Sequence, residues 1–329
     1  MASTRFVTDL ESCRTLWEAV VQPKHVFDLW FFRVCFQKHF HASPSFLVLE
    51  DKGGMAGMLP LCYAEEQDMF LFFPGEFWKG KTWIERTPFH AKDNRGLLDL
   101  LDACPERTYL RYMDLPKGPV QEALSVDEIG YVLYPGRLHG DIEGYYRRFS
   151  GKKLKNLTRA IQNLISENSM FHMNRLEDFD LLVDMSLRRF GEDSYLWDER
   201  FRESFRDVML FLYRSGTLRM VSMDIGGKTV AVDLGALYNN VYTVFLGGTD
   251  PDIPGVAKVM NRHHIEFAFQ HGVSKVDFLC GDFHWKKLWH LDEEPLYKFV
   301  SPSLACEEAL PGLLPMHAAL AKTQAHYSH

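Results

Sequence analysis

The chain has 329 residues, 46% of them hydrophobic and 25% charged, which is the composition of a globular protein long enough for two cores. Its formal net charge of −7 leaves no overall basic footprint, so no sequence-specific nucleic-acid partner is expected. Six scattered cysteines without a Cys-x-x-Cys pair argue for reduced thiols in a cytoplasm, against a disulfide scaffold or zinc ribbon, and for no bound metal. The N-terminus lacks an apolar signal core. The greasiest stretch, 26–36, is interrupted by Asp28 and Arg33 and is too short to span a bilayer. A cytoplasmic protein with no membrane span is therefore expected; its oligomeric state cannot be read.

Along the chain, 27–40 reads as a helix, followed by strands at 46–51, 55–61 and 69–73. A short helix at 96–103, a strand at 108–113, a helix opening at Pro119 and a strand at 131–134 close the first half. Pro135-Gly136 ends that strand, and 136–144 is the best linker, dividing a domain over 1–135 from one over 145–303. Helices are predicted at 152–167, 177–190 and 199–214, then strands at 217–224, 229–238 and 241–247. A long helix opens at Gly255, followed by a strand at 275–280, a Trp-rich segment at 283–290 and a strand at 296–300. Residues 304–329 read as a C-terminal helix from Cys306 and a frayed tail.

The halves repeat. Asp51-Lys52-Gly53-Gly54 and Asp224-Ile225-Gly226-Gly227 each sit between two apolar runs, and an offset of 173 residues separates Asp51 from Asp224 and Gly53 from Gly226. Glycine supplies the positive φ that a tight hairpin needs, so each reads as the turn of a hairpin within a duplicated unit.

Three places carry residues that chemistry could use. After the strand at 241–247, the run from Gly247 to Ala257 makes a small-residue turn into a helix, where free N–H groups and the helix dipole suit a phosphate or pyrophosphate. Next, six cations lie within the 13 residues 147–159, with Leu154, Leu157, Ile161 and Leu164 on the opposite, apolar face. They are either a phosphate-binding face or a solvated one. Finally, Asp233 interrupts an apolar strand, where a carboxylate is expensive unless it is functional or paired, with Arg219 or Lys258 as the nearest cations to hand. Adjacent His263 and His264 point about 100° apart on a helix and cannot share a metal, so one should pack and the other be solvated. His284 and His290 match no zinc spacing.

Three groups of residues resemble the tandem-GNAT acyltransferases, specifically the Fem-type aminoacyltransferases and the CelD-like proteins. The basic run Lys152-Lys153-Leu154-Lys155-Asn156 with Arg159 is similar to their KxRxNxRRA helix, and Asp277-Phe278 with Gly281, Lys286 and Trp289 to their xDFxxGxxxYKxxW signature. Pro254-Gly255 opens the long helix as in that family. The resemblance implies an α/β (α+β) protein of two tandem GNAT-like domains, each a mixed, mostly antiparallel sheet flanked by helices. It implies transfer of an acyl or aminoacyl group from a thioester or ester donor to an amine of a cell-envelope, polysaccharide or peptide precursor. Gly248, Pro254, Gly255, Val256 and Ala257 would hold acyl-CoA or another acyl donor, and Lys152, Lys155, Asn156, Arg159 and Trp285 the substrate. Asp233 or Asp282 would be the base, Lys286 would orient charge and Tyr242 would reprotonate the leaving group. Asp252 stands where the family carries Gln or Arg, and Phe283-His284-Trp285 replaces its Glu-Pro-Tyr; a degenerate GNAT pair acting as a binding module is the alternative.

Overall fold

The computed structural model describes residues 2–165, 168–281 and 284–306. The first half runs β1 (Ser3–Val7), α1 (Leu10–Val20), α2 (Trp30–Phe40), β2 (Ser43–Pro44), β3 (Phe46–Asp51), β4 (Gly54–Leu59), β5 (Leu61–Ala64), β6 (Met69–Phe72), β7 (His90–Ala91), α3 (Asn94–Asp102), β8 (Tyr109–Met113), α4 (Pro119–Ala123) and β9 (Ser125–Leu133). The second runs α5 (Ile142–Tyr146), α6 (Gly151–Gln162), β10 (Ser169–Met173), α7 (Phe179–Phe190), α8 (Glu199–Arg214), β11 (Val221–Ile225), β12 (Lys228–Tyr238), β13 (Val241–Thr249), α9 (Val256–Gln270), β14 (Lys275–Asp277), α10 (His284–Leu288), β15 (Asp292–Val300) and α11 (Pro302–Cys306). Asp9, Asp93, Ser150 and Asp198 start α1, α3, α6 and α8 by accepting a backbone N–H one turn in.

Eight strands form one sheet in the order β10-β11-β12-β13-β14-β9-β15-β8. β10 to β13 are an antiparallel meander, and β13 pairs with β14 in parallel, from Val241↔Lys275 to Thr243↔Asp277. Past Thr243 the two strands part, so β13 runs on to Thr249 with one edge open to a splay. One sheet face packs on α6 and α9 through Leu157, Ile161, Val256, Met260 and Ile265. The other packs on α2, α7 and α8 through Phe32, Phe36, Phe179, Phe205 and Leu212.

The first half repeats the hairpin. β1, β3 and β4 are antiparallel neighbours, β5 continues beyond Pro60 to pair with β6, and Phe70 bridges Thr108 in parallel, as β13 does β14. Both Gly-Gly hairpins carry a register shift just before the turn, at Leu49/Glu50 and at Met223/Asp224. The halves then exchange strands. β9, from the first, lies beside β14 of the second, while β15 lies beside β8, and β9 and β15 pair with each other. Both are nine residues long, and 167 residues separate Ser125 from Asp292 and Leu133 from Val300. Residues on either side of position 135 thus share one sheet.

Several elements differ from their sequence reading. β1, α1 and β10 were not anticipated. β9 begins at Ser125 rather than 131, and β15 at Asp292 rather than 296. The strand expected over 275–280 stops at Asp277, because Leu279 adopts φ 60 and the chain turns to bond Tyr131. The helix expected over 152–167 ends at Gln162, and that expected over 217–224 as strand starts at Val221. α11 precedes the helix expected from Cys306; that stretch and the tail lie outside the described residues from 307 onward.

Candidate active site

Asp233 lies mid-β12, opposite Val221 on one side and Gly247 on the other. Strand alternation turns it to the α9 face, where Val256, Met260 and His264 recur at four-residue spacing. His264 is fully buried. Its Nε2 lies 2.7 Å from Asp233 Oδ2 and its Nδ1 2.7 Å from Tyr242 Oη. Asp233, His264 and Tyr242 therefore form one hydrogen-bonded line through the interior. Burial pushes the Tyr242 phenol well above its usual range, against the pull of Arg219.

Asp233 is paired with His264, not with Arg219 or Lys258. Arg219 instead lies over the Phe267 ring, 3.2 Å from its centroid. Neither histidine is fully solvated. His263 is half-buried, stacked on Phe171 at 4.2 Å, and burial, His264 and Arg219 lower it to about 4. The second oxygen of Asp233 faces outward: a Cβ added to exposed Gly247 would stand 2.6 Å from Oδ1. Only glycine there leaves the carboxylate its place.

The turn after β13 is built around Asp250. This buried carboxylate accepts the Asp252 N–H at 3.1 Å and Lys228 Nζ at 2.6 Å, and Arg188 lies 4.0 Å away. Hydrogen bonds from Lys228 and the Asp252 N–H hold Asp250 below its usual range. Asp252 itself is exposed and does not cap α9, whose N-cap, Gly255 at φ 94, has no side-chain cap. Gly248 is packed against Leu182 of α7, with room for no Cβ. Pro254 and Ala257 are exposed, Val256 is buried, and Leu164 lies 3.1 Å from where a Gly255 Cβ would be. The uncapped start of α9 fits one anionic group of a carrier such as coenzyme A; exposed Asp252 opposes it.

Lys286 stands apart from this line. It is buried, donates to Leu279 O at 2.8 Å and to Cys280 O, and is lowered by burial against the attraction of Glu85. Glu85, from the first half, accepts the Cys280 N–H at 2.8 Å, and burial raises its carboxyl to about 7. Asp277 is bound by Arg86 at 3.1 Å and Lys275 at 3.4 Å; these cations outweigh its burial and hold it low. Arg86 also reaches Asp114 and Glu294. Trp289 is buried, and Trp285 packs edge-on to Phe278. The signature residues thus hold together the chain just past β14. Asp282 lies outside the described residues.

Lys152, Lys155, Asn156 and Arg159 are all exposed on α6. The helix packs on α9, and Leu164, two residues past it, touches the turn at Gly255, so its C-terminal end adjoins the start of α9. Asp250, Glu85 and Arg86 escaped the sequence reading, which gives His264 no role beyond packing or solvation. For His264 a signal was present: it falls on the apolar stripe of its helix, eight residues after Val256.

Residues 151–287 match the family model of the acetyltransferase (GNAT) domain. Among solved structures, FemX aligns at TM-score 0.57 with 10% identity, over 91% of this chain and 97% of that one. L-PGS from Bacillus licheniformis aligns at 0.55 with 11% identity, over 96% of each chain. A conserved protein of unknown function from Bacteroides thetaiotaomicron VPI-5482 aligns at 0.54 with 13% identity, over 90% and 98%. At these identities the likeness is one of fold. No curated protein matches the sequence. No helix among the described residues is long and apolar enough to cross a membrane. Residues 151–287, then, are similar to the GNAT acetyltransferase domain, within a two-half fold that aligns over nearly the whole of FemX and of L-PGS.

Proposed function

We propose that this protein is an N-acyltransferase that moves an acyl or aminoacyl group from a thioester or ester donor to an amine. Asp233 is the base that takes the amine proton. The observation that carries this reading is the Asp233 carboxylate itself: buried on an apolar strand, anchored through one oxygen to His264, with the other beneath exposed Gly247. A positioned carboxylate of this kind suits general-base work on an attacking nitrogen. The open edge of β13 and the start of α9 would hold the donor, Val256 and Ala257 presenting N–H groups to its phosphate. Coenzyme A, when bound, supplies the activated acyl carbonyl. Lys152, Lys155, Asn156 and Arg159, exposed on the helix whose C-terminal end adjoins that turn, would hold an anionic part of the acceptor, as in a sugar nucleotide or an envelope, polysaccharide or peptide precursor. Cytoplasmic chemistry on such precursors fits the free cysteines.

The test is a screen of the full chain against amino sugars, amino-sugar nucleotides and lysyl peptides, read as thiol release with acetyl-CoA and as amide product by mass spectrometry with aminoacyl esters as donors. Turnover that depends on an amine supports the reading. A second reading, a catalytically degenerate pair that only binds ligands, is favoured by exposed Asp252 in the turn. Binding of CoA or a sugar nucleotide without turnover of any donor would support it and overturn the first.

A further inference from the structure

We infer that His264 is a positioning residue for Asp233, with Tyr242 fixing the tautomer of His264; this rests on Asp233 being the base proposed above. With Asp233 ionised, as a base must be, and the imidazole neutral, the geometry admits one arrangement of protons. A phenol O–H donates to Nδ1 only if that nitrogen is bare, and the ring then carries its hydrogen on Nε2, aimed at Asp233 Oδ2. Burial keeps the Tyr242 proton in place. The two oxygens of Asp233 are thereby divided: Oδ2 is held from behind, and Oδ1 lies beneath Gly247 toward the surface.

Packing alone does not call for this line. Three buried polar side chains where apolar ones would fit cost desolvation that hydrogen bonds only offset. The first half shows that such a unit folds without it. In the paired register of the two hairpins, Val221↔Asp233 corresponds to Leu47↔Leu59, so the position of Asp233 is occupied by the buried, apolar Leu59 at the end of β4.

In the reaction, the acceptor nitrogen attacks the acyl carbonyl and the new C–N bond forms as its proton passes to Asp233 Oδ1. The C–S or C–O bond to the donor then breaks, and that proton returns from Asp233 to the leaving sulfur or oxygen. His264 and Tyr242 keep their protons throughout and act only through Asp233.

The experiment has a spectroscopic arm and a kinetic one. In the full chain labelled with ¹⁵N-histidine, His264 should show a protonated Nε2 and a bare Nδ1, and Tyr242→Phe should shift the Nδ1 signal. An Nδ1–H tautomer would overturn the inference. His264→Gln keeps a donor near the Nε2 position, whereas His264→Leu fills the space without one. With acetyl-CoA and the best amine of the screen, the Leu variant should lose kcat by roughly 10- to 100-fold at little changed KM, the range for partners that orient a reacting group. The Gln variant should keep most of it. Equal kcat in the Gln and Leu variants would assign His264 a packing role only. If the Leu variant does not fold, Tyr242→Phe, which removes one hydroxyl, must lower kcat at constant KM; unchanged kcat would contradict the inference. Asp233→Asn separates the two ideas. Full turnover there sinks the base itself, whereas an inactive Asn variant beside a fully active Leu variant sinks only the role of His264.

Discussion

Asp250 and Asp252 stand two residues apart and face different environments. Asp250 is buried and neutralised by Lys228 inside the turn, while Asp252 is exposed near the start of α9 without a described side-chain partner. Removing the second charge should therefore help an anion without loosening the turn. Asp252→Gln is expected to tighten CoA binding several-fold, an effect of order 1 kcal/mol or less for an exposed charge. Isothermal titration checks it, and weaker or unchanged binding would place the phosphate elsewhere. Glu76 offers a test of pH dependence. Burial raises its carboxyl to about 7, although the Ile84 and Trp83 N–H groups and Arg33 favour the charged form. Its folded value lies above its unfolded one, so its stabilising contribution is full below about pH 4.5 and is lost as pH rises through about 7. Glu76→Gln keeps the acceptor for both N–H groups and should flatten the fall in urea midpoint between pH 5 and 7.5; an unaltered slope would refute the assignment. At this scale Asp233 was legible, because a carboxylate on an apolar strand stands out. Its partner was not: which turn of a helix meets which strand residue depends on the β13–α9 crossover, and nothing local to His264 encodes it.

Among the elements, the segment between β6 and β7 ties the halves together. Trp83 and Ile84 enter the second half's core, Glu85 takes the Cys280 N–H, and Arg86 joins Asp277, Asp114 and Glu294. Taking Arg86 away leaves buried Asp277 with the Leu279 N–H and the more distant Lys275. Arg86→Ala should cost about 3–5 kcal/mol, as when one partner of a buried ion pair is removed, and denaturant unfolding measures it; a loss below 1 kcal/mol would show that water replaces the guanidinium. The Gly226-Gly227 hairpin was readable from sequence because its turn needs φ 59 and 81. The starts of β9 and β15 were not, since Asp127-Glu128 and Asp292-Glu293-Glu294 are polar, at most partly buried, and gain strand geometry only by pairing with the other strand.

The whole molecule is held by that exchange. A chain cut at the linker leaves β14 without β9 and β8 without β15, exposing two sheet edges. Residues 136–329 expressed alone should therefore fail to fold cooperatively, and co-expression with 1–135 should restore a soluble complex; a cooperative melt of the isolated piece would contradict this. The duplication was visible in two glycine pairs at one offset, but its most consequential feature joins residues 160 to 173 apart, from Asp292↔Val132 to Lys298↔Ser125, beyond the reach of local patterning. Within this frame the proposed chemistry rests on the second half, where Asp233 stands and the first half has Leu59. The most direct measurement is amine-dependent thiol release from acetyl-CoA by the wild-type chain and by Asp233→Asn. Loss of the general base should lower kcat by roughly 10²- to 10⁴-fold with the fold intact. Wild-type turnover in the Asn variant would contradict Asp233 as the base.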